Sequence, residues 1–276
     1  MRAAGGRRAQ GENCRELRLL AVGDVVGDSG IEMLTRHLPA LRKLKNIGFV
    51  VVNGENASGV GIHPRQADDI CGAGADVITL GNHTWNRLQI VKYLETREDI
   101  LRPANYTNRV PGRGFGVFPG PGGIRIGVMN LIGRTEMDAN FDNPFTLAPR
   151  LIRNADVDVT VVDFHAEATS EKVAMAYYLD EQKLNVAALW GTHTHVPTAD
   201  TQILPQGTGF VSDLGMTGPM VSVLGIPPHQ AINRFLGGLP ARYDAAEGPC
   251  KLNAVLFTVD TDAKKCVAVE RVDIQD

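Results

Sequence analysis

Five short polar clusters in this sequence carry side chains that could bind metal ions. Each follows an apolar run, and they read Gly23-Asp24, Asn53-Gly54-Glu55-Asn56, Gly81-Asn82-His83, His165 and Gly191-Thr192-His193-Thr194-His195. They offer carboxylates, amides and three or four imidazoles. This mixture suits iron, manganese or zinc, and it contains too much nitrogen for a site that binds only magnesium or calcium.

The candidate ligands are more numerous than one ion usually takes. They are Asp24, Glu55, Asn56, Asn82, His165, His193 and His195. Two ions that share a carboxylate explain the number, and Glu55 is the candidate bridge because it is the acid of the second cluster. Two metal ions about 3.5 to 4 Å apart can hold a phosphate, and metal binding lowers the pKa of water to about 7. The residues therefore predict phosphoester hydrolysis by attack of a metal-bound hydroxide on phosphorus.

Strands must end just before these clusters if the clusters are to meet. Ligands of open α/β sheets gather beyond the carboxyl ends of the strands, so the clusters are expected to converge. Near-continuous apolar runs of this kind are typical of strands buried on both faces. The runs are LRLLAV at 17–22, FVVV at 49–52, DVITL at 76–80, IRIGVMN at 124–130, VDVTVVDF at 157–164 and VAALW at 186–190.

Helices are predicted between these strands, over residues 29–45 after a possible Asp28 cap, 64–73, 85–95 and 168–183. The C-terminal part differs, because TQILP, GFVSD, LNAVLFTVD and CVAVERVDI look like strands with only a short helix near 229–236 between them. This part is expected to form a second, more antiparallel sheet packed on the first. The predicted fold is a layered α/β/β/α sandwich with two mixed sheets and outer helices.

Composition limits the class of protein. The chain has 276 residues, of which 43% are hydrophobic and 21% charged, so residues 17–276 are predicted to form a single globular domain. Residues 1–16 are rich in Arg, Gly and Ala. They are expected to be a disordered extension, or residues assigned to the chain only because the start codon was placed too far upstream. A net charge of -3 provides no overall basic field, so no stable nucleic-acid partner is expected.

The remaining features favour a cytoplasmic protein. The four cysteines lie far apart without a CxxC pair, which favours reduced or incidental thiols. No apolar run approaches the roughly 18 to 20 residues that span a bilayer, and the N-terminus lacks an apolar signal segment. No membrane association is expected, and a homo-oligomer remains open.

The ordered clusters resemble a known family. The segments GDVVGD, NGENASG, LGNHTW, DFHAE and GTHTHVPT are similar to the successive blocks of the calcineurin-like metallophosphoesterases. The resemblance is closer to one bacterial branch, the 2′,3′-cyclic nucleotide 2′-phosphodiesterases, and it extends from about Leu17 to the C-terminus. DLGMTGP at 213–219 also looks like a segment of this branch.

The resemblance implies roles for individual residues. One metal would be surrounded by Asp24, Glu55, Asn56 and His195, and the other by Glu55, Asn82, His165 and His193. His83 would be the general acid that protonates the leaving ribose oxygen. The two ions, divalent or of mixed valence, would be iron, with manganese as the alternative. Val26 stands where the wider superfamily has a histidine ligand, and Asn56 is the expected substitute.

The branch implies a small-molecule cyclic nucleotide as substrate, opened at the 2′ oxygen to leave a 3′-phosphate. Two alternatives stay open. The same metal centre could serve a phosphomonoesterase, a protein phosphatase or a nuclease, or the chain could be a regulatory protein that binds a nucleotide. The sequence also leaves open whether Arg134 or Thr217 contacts phosphate, and a substrate contact of His63 is not expected.

Overall fold

The computed structural model describes residues 16–137, 141–239 and 244–276. Its strands are β1 Glu16–Val22, β2 Asp24–Val25, β3 Phe49–Asn53, β4 Val77–Thr79, β5 Ile100–Leu101, β6 Phe115–Pro119, β7 Arg125–Ile132, β8 Val159–His165, β9 Val186–Thr192, β10 Gln202–Ile203, β11 Gly209–Val211, β12 Met216–Pro219, β13 Cys250–Asp260 and β14 Lys265–Gln275. Its α-helices are α1 Gly27–Leu44, α2 Pro64–Gly72, α3 Gln89–Thr96, α4 Pro144–Arg153, α5 Thr169–Glu181 and α6 Pro228–Phe235. Residues 1–15, which include nearly all of the predicted N-terminal extension, lie outside the described residues.

The strands form two mixed sheets. In the first sheet, β1, β3, β4 and β5 are parallel neighbours, and β13 joins β1 in antiparallel orientation. β13 also pairs with β14 and β12, and β12 pairs with β2. In the second sheet, β7, β8, β9 and β11 are parallel neighbours, with antiparallel β6 and β10 at the two edges. The parallel strands of each sheet therefore end at one edge.

Alternating side chains of the strands divide the apolar core into three layers. On β8, Val159 and Val161 belong to the core between the two sheets, whereas Val162 and Phe164 pack under α4 and α5. The outer face of the first sheet packs against α1, α2 and α3 in the same way. Side chains of a strand point alternately to its two faces, so strands that are apolar at every position bury both faces. The predicted α/β/β/α sandwich is confirmed.

The expectation that the C-terminal strands form a sheet of their own is wrong. β12, β13 and β14 complete the first sheet, whereas β10 and β11 complete the second. β13 is buried along most of its length and lies beside β1 in the interior of its sheet. An antiparallel strand can be added to either open edge of a parallel sheet, so the apolar pattern of these strands did not determine which sheet receives them.

Two local predictions also need correction. Helix α1 begins at Gly27, two residues before the predicted start, so Asp28 lies in the first turn and does not cap the helix. A carboxylate in this turn still interacts favourably with the helix dipole. Helix α4 was not predicted, and it contains Pro149 in its interior, where proline usually interrupts a helix. Proline is well suited to the first position of a helix, and Pro144 occupies that position.

The structure agrees with the expected thiols. Cys71, Cys250 and Cys266 are free, and the fourth cysteine lies outside the described residues. In the part of the chain that the structure describes, no helix has both the length and the apolarity to cross a membrane.

Candidate metal centre

The predicted ligands lie at the carboxyl ends of the parallel strands, as the sequence pattern indicated. Asp24 follows the end of β1 and begins the short strand β2, and Glu55 and Asn56 follow β3. His165 is the last residue of β8. The other ligands follow shortly after their strands, Asn82 after β4 and His193 and His195 after β9. Both sheets therefore contribute side chains to one place.

One group of ligand atoms surrounds Nε2 of His165. This atom lies 3.0 Å from Oε1 of Glu55, 2.9 Å from Oδ1 of Asn82 and 3.1 Å from Nδ1 of His193. Ligand atoms of Glu55, His165 and His193 all lie within 4.8 Å of one another, and the first two residues are fully buried. These are three of the four residues that the resemblance assigns to one metal, and the fourth, Asn82, is in contact with them.

A second group lies around Asp24. Its carboxylate is fully buried, and its Oδ1 has no hydrogen-bond partner among the described residues. Nε2 of His195 is 3.8 Å from this oxygen and 3.1 Å from Nδ2 of Asn56. A buried carboxylate oxygen without a donor is costly unless a cation balances it. The residues present therefore fit a metal ion at this position as well.

The amide of Asn56 has an orientation that the sequence did not predict. Its Nδ2 faces His195 and also donates to Oε1 of Glu55 at 3.2 Å. Only an amide oxygen can bind a metal ion, so coordination by Asn56 requires a half-turn of the amide group. The two ends of an amide are assigned from their hydrogen bonds, and a bound cation would favour the opposite assignment.

The backbone approaches the ligands closely at two places. A Cβ atom at Gly81 would lie 2.3 Å from Oε2 of Glu55 and 2.4 Å from Nε2 of His165, so only glycine fits there. His193 and His195 have φ angles of 104° and 63°, which non-glycine residues rarely adopt. Such strain is typical of functional sites, where the surrounding structure holds the residue in place.

Electrostatics favour the metal-binding forms of His193 and Glu55 and oppose those of Asp24 and His165. Burial and the neighbouring charge of His165 lower the pKa of His193 to about 3, so its imidazole is neutral at pH 7. Burial raises the pKa of Glu55, but the adjacent His165 outweighs it, and the net shift is downward. Burial raises the pKa of Asp24 to about 6. Burial lowers the pKa of His165, but the charge of Glu55 outweighs it and raises the pKa to about 9, so a bound cation would have to displace this proton. Neutral imidazoles and ionised carboxylates are the forms that bind metal ions.

His83 lies at the edge of the same centre. Its backbone N–H donates to Oε2 of Glu55 at 3.0 Å, and its side chain is half-buried. The structure therefore places the predicted acid beside the candidate bridging carboxylate.

Comparison with known proteins identifies the family. The sequence profile of the YmdB-like protein family matches residues 20–272. The chain belongs to the YmdB-like protein family. All the candidate ligands lie within the matched part of this YmdB-like chain.

Individual relatives agree with this assignment. The YmdB-like chain is 40% identical to the 2′,3′-cyclic-nucleotide 2′-phosphodiesterase of Bacillus subtilis strain 168, over 94% of this chain and 98% of the relative. A solved structure from Thermus thermophilus is 36% identical, with a TM-score of 0.87 over 94% of this chain and 100% of that one. A Mycoplasma pneumoniae structure described as a novel phosphatase is 33% identical, with a TM-score of 0.88 over 94% of both chains. The predicted family resemblance is confirmed.

Three residues that the sequence analysis did not select support the histidine ligands of this YmdB-like protein. Oε2 of Glu167 lies 3.1 Å from Nε2 of His193, so it can orient this ring. Nζ of Lys172 donates to Oδ2 of Asp213 at 2.8 Å in a buried ion pair. Glu167 lies in the DFHAE segment and Asp213 in DLGMTGP, but nothing in the sequence distinguishes Lys172 from the other charges of its helix.

Asp213 holds the loop that contains two of the ligands. Its Oδ2 accepts hydrogen bonds from the backbone N–H and the hydroxyl of Thr194, at 3.2 and 2.8 Å. Thr194 stands between His193 and His195, the two residues with positive φ angles. The buried ion pair therefore supports a strained turn of the candidate centre.

The structure also locates the residues whose contact with phosphate was left open. Thr217 is fully buried in β12. Arg134 is exposed in the loop after β7, and its backbone N–H donates to the carboxylate of Glu171 at 3.0 Å. His63 precedes α2, and its backbone N–H donates to Oε1 of Gln66 at 3.1 Å. Arg134 is therefore more accessible to a substrate than Thr217.

Proposed function

We propose that this YmdB-like protein is a metal-dependent phosphodiesterase that hydrolyses 2′,3′-cyclic nucleotides to 3′-nucleotides. The observation that carries the proposal is the convergence of Glu55, His165 and His193 near the buried Asp24, whose Oδ1 has no hydrogen-bond partner within the described part of the chain. The name of the Bacillus subtilis relative supports the choice of substrate. The small substrate also agrees with a chain of net charge -3, which has no extended basic field for long nucleic acids.

The chain offers ligands for two ions. Asp24, Glu55, Asn56 and His195 would hold one, and Glu55, Asn82, His165 and His193 the other. Two bound ions would neutralise phosphate charge and lower the pKa of a water molecule. Iron suits this mixed set of oxygen and nitrogen ligands, and manganese is the alternative.

The residues of the chain have complementary tasks in the proposed reaction. The sum of the reaction is addition of one water to phosphorus and cleavage of the bond between phosphorus and the 2′ oxygen. The leaving 2′ oxygen needs a proton, and the half-buried His83 stands beside the centre to provide it. The hydrogen bond from its backbone to Glu55 fixes the position of His83 relative to the ligands.

Metal analysis of anaerobically purified protein, followed by assay of the same sample on 2′,3′-cyclic AMP, tests this function. We expect about two metal ions per chain, as a two-metal site requires, and 3′-AMP as the product. Bound metals with hydrolysis of phosphomonoesters or linear diesters instead would retain the centre and change the substrate. The description of the Mycoplasma pneumoniae relative as a phosphatase makes monoesters the first alternative to assay. A protein that binds no metal would contradict the proposal.

The variant His83→Ala tests the proposed acid. We expect kcat to fall about 10²- to 10⁴-fold, the usual contribution of general acid–base catalysis. Metal content should stay the same, because the hydrogen bond from His83 to Glu55 comes from the backbone N–H, which alanine retains. His37→Ala is a matched control, since this half-buried histidine lies on helix α1 away from the centre. An unchanged kcat in His83→Ala would exclude the assigned role.

A further inference from the structure

The core between the two sheets becomes polar just before the metal centre. On the strands that lead to the ligands, the side chains that face the other sheet are apolar except at the final position. On β3, for example, Phe49 and Val51 are apolar. The next inward positions are Asn53 on β3, Thr79 on β4, Asp163 on β8 and Thr192 on β9, and all of these are buried. Buried polar side chains are costly unless their hydrogen bonds are satisfied. The four side chains of this polar layer therefore need hydrogen-bond partners within the protein.

The carboxylate of Asp163 is the centre of the layer. Its Oδ2 accepts hydrogen bonds from the hydroxyl of Thr79 and, at 3.2 Å, from Nδ2 of Asn53. Its Oδ1 accepts a hydrogen bond from the hydroxyl of Thr192 at 2.7 Å. Asn53 and Thr79 belong to the first sheet and Asp163 and Thr192 to the second. The carboxylate therefore joins the two sheets directly beneath the ligands.

Thr192 connects this carboxylate to His165. Its Oγ1 lies 2.9 Å from Nδ1 of His165. A hydroxyl has one proton to donate, and Thr192 donates it to Asp163, so the oxygen can only accept from the imidazole. Nδ1 of His165 must then carry a proton. In a neutral ring this leaves Nε2 as the nitrogen with a free lone pair, facing Glu55, Asn82 and His193.

We propose that Asp163, acting through Thr192, is a positioning residue that fixes the proton of His165 on Nδ1 and presents Nε2 to the metal. This inference rests on the proposed metal centre. We call the hydrogen-bonded chain Asp163–Thr192–His165 the relay. Without it, the proton can reside on Nε2, where Oε1 of Glu55 would accept it. A protonated Nε2 could not bind a metal. Partners of this kind orient ligating histidines and raise their basicity.

Two buried threonines allow a matched test. Thr192→Val removes the hydroxyl that joins Asp163 to His165, and Thr79→Val removes a hydroxyl that donates to the same carboxylate without contacting His165. The measurement is the dissociation constant for Zn²⁺ by chelator competition, together with the midpoint of thermal unfolding of the metal-free protein. Zn²⁺ is diamagnetic, so nitrogen NMR of the loaded protein also reports which ring nitrogen carries the proton.

We expect Thr192→Val to weaken Zn²⁺ binding about 10- to 100-fold, the usual effect of losing such a partner. Thr192→Ser, which keeps the hydroxyl, should restore binding to within about 3-fold of the parent protein, and Thr79→Val should stay in that range. Both valine variants should lower the unfolding midpoint to a similar extent.

The outcomes separate this inference from the proposed function. Equal loss of Zn²⁺ affinity in both valine variants, or loss in neither, would overturn the relay and leave the phosphodiesterase proposal intact. The expected pattern in a protein that does not hydrolyse 2′,3′-cyclic AMP would support the relay and contradict the substrate. A parent protein that does not bind Zn²⁺ would overturn the relay together with the centre.

Discussion

Replacement of Glu55 by glutamine is expected to remove nearly all bound metal and to lower kcat/KM about 10³-fold or more, since metal ions contribute several kcal/mol to such reactions. Glu55 is fully buried, with Oε1 beside His165 and Oε2 accepting from the backbone of His83. In glutamine one of these oxygens becomes an NH2 group, which cannot bind a metal and would face the NH2 group of Asn56 or the backbone N–H of His83. The proposed bridging role of Glu55 therefore requires the carboxylate.

Metal content, kcat/KM and the unfolding midpoint of Glu55→Gln should be measured together. The side chain keeps its size and loses a buried charge, so we expect the fold to be retained. Glu95→Gln, at an exposed position on α3, is the matched control and should keep metal and activity. If Glu55→Gln retained both metal ions and turnover, the bridging role would be wrong.

Replacement of Lys172 by methionine is expected to lower the free energy of unfolding by about 3 to 5 kcal/mol, the usual cost of removing one partner from a buried ion pair. Only 2% of each side chain of the Lys172–Asp213 pair is exposed. Loss of the ammonium leaves the carboxylate of Asp213 buried without its cation. Because Asp213 also holds Thr194, metal affinity should fall as well.

Denaturation by urea measures this effect, with Lys92→Met as the control. Lys92 is exposed on α3, so its replacement should change the free energy of unfolding by less than about 0.5 kcal/mol. The double variant Lys172→Met/Asp213→Asn removes both charges and should be less destabilised than Lys172→Met alone. If the double variant lost the sum of both single effects, the two residues would not act as a pair.

Much of the candidate site could be predicted from the sequence because the ligands follow apolar strands at regular places. Glu55, Asn82 and His165 each come at or shortly after the end of a strand, and parallel strands of a sheet end at the same edge. This rule required no knowledge of strand order. The convergence of Glu55, His165 and His193 in the structure agrees with it.

The supporting residues were harder to recognise. Asp163 lies inside the apolar run at 157–164, and Lys172 lies on a helix among other charges, where an exposed position is the usual expectation. Their importance follows from partners far away in sequence, such as Thr79 and Asp213. Sequence spacing carries no information about such contacts.

The sequence by itself determined the alternation of strands and helices, the family resemblance and the residues that could bind metal. Periodicity and the position of polar residues after strands are local properties, so they can be recognised without any knowledge of packing. The tertiary structure decided which sheet receives β13, how Asn56 is oriented and which buried groups hold the histidines. These features depend on contacts between distant segments, where the need to satisfy each buried polar group selects among arrangements that local preferences leave equivalent.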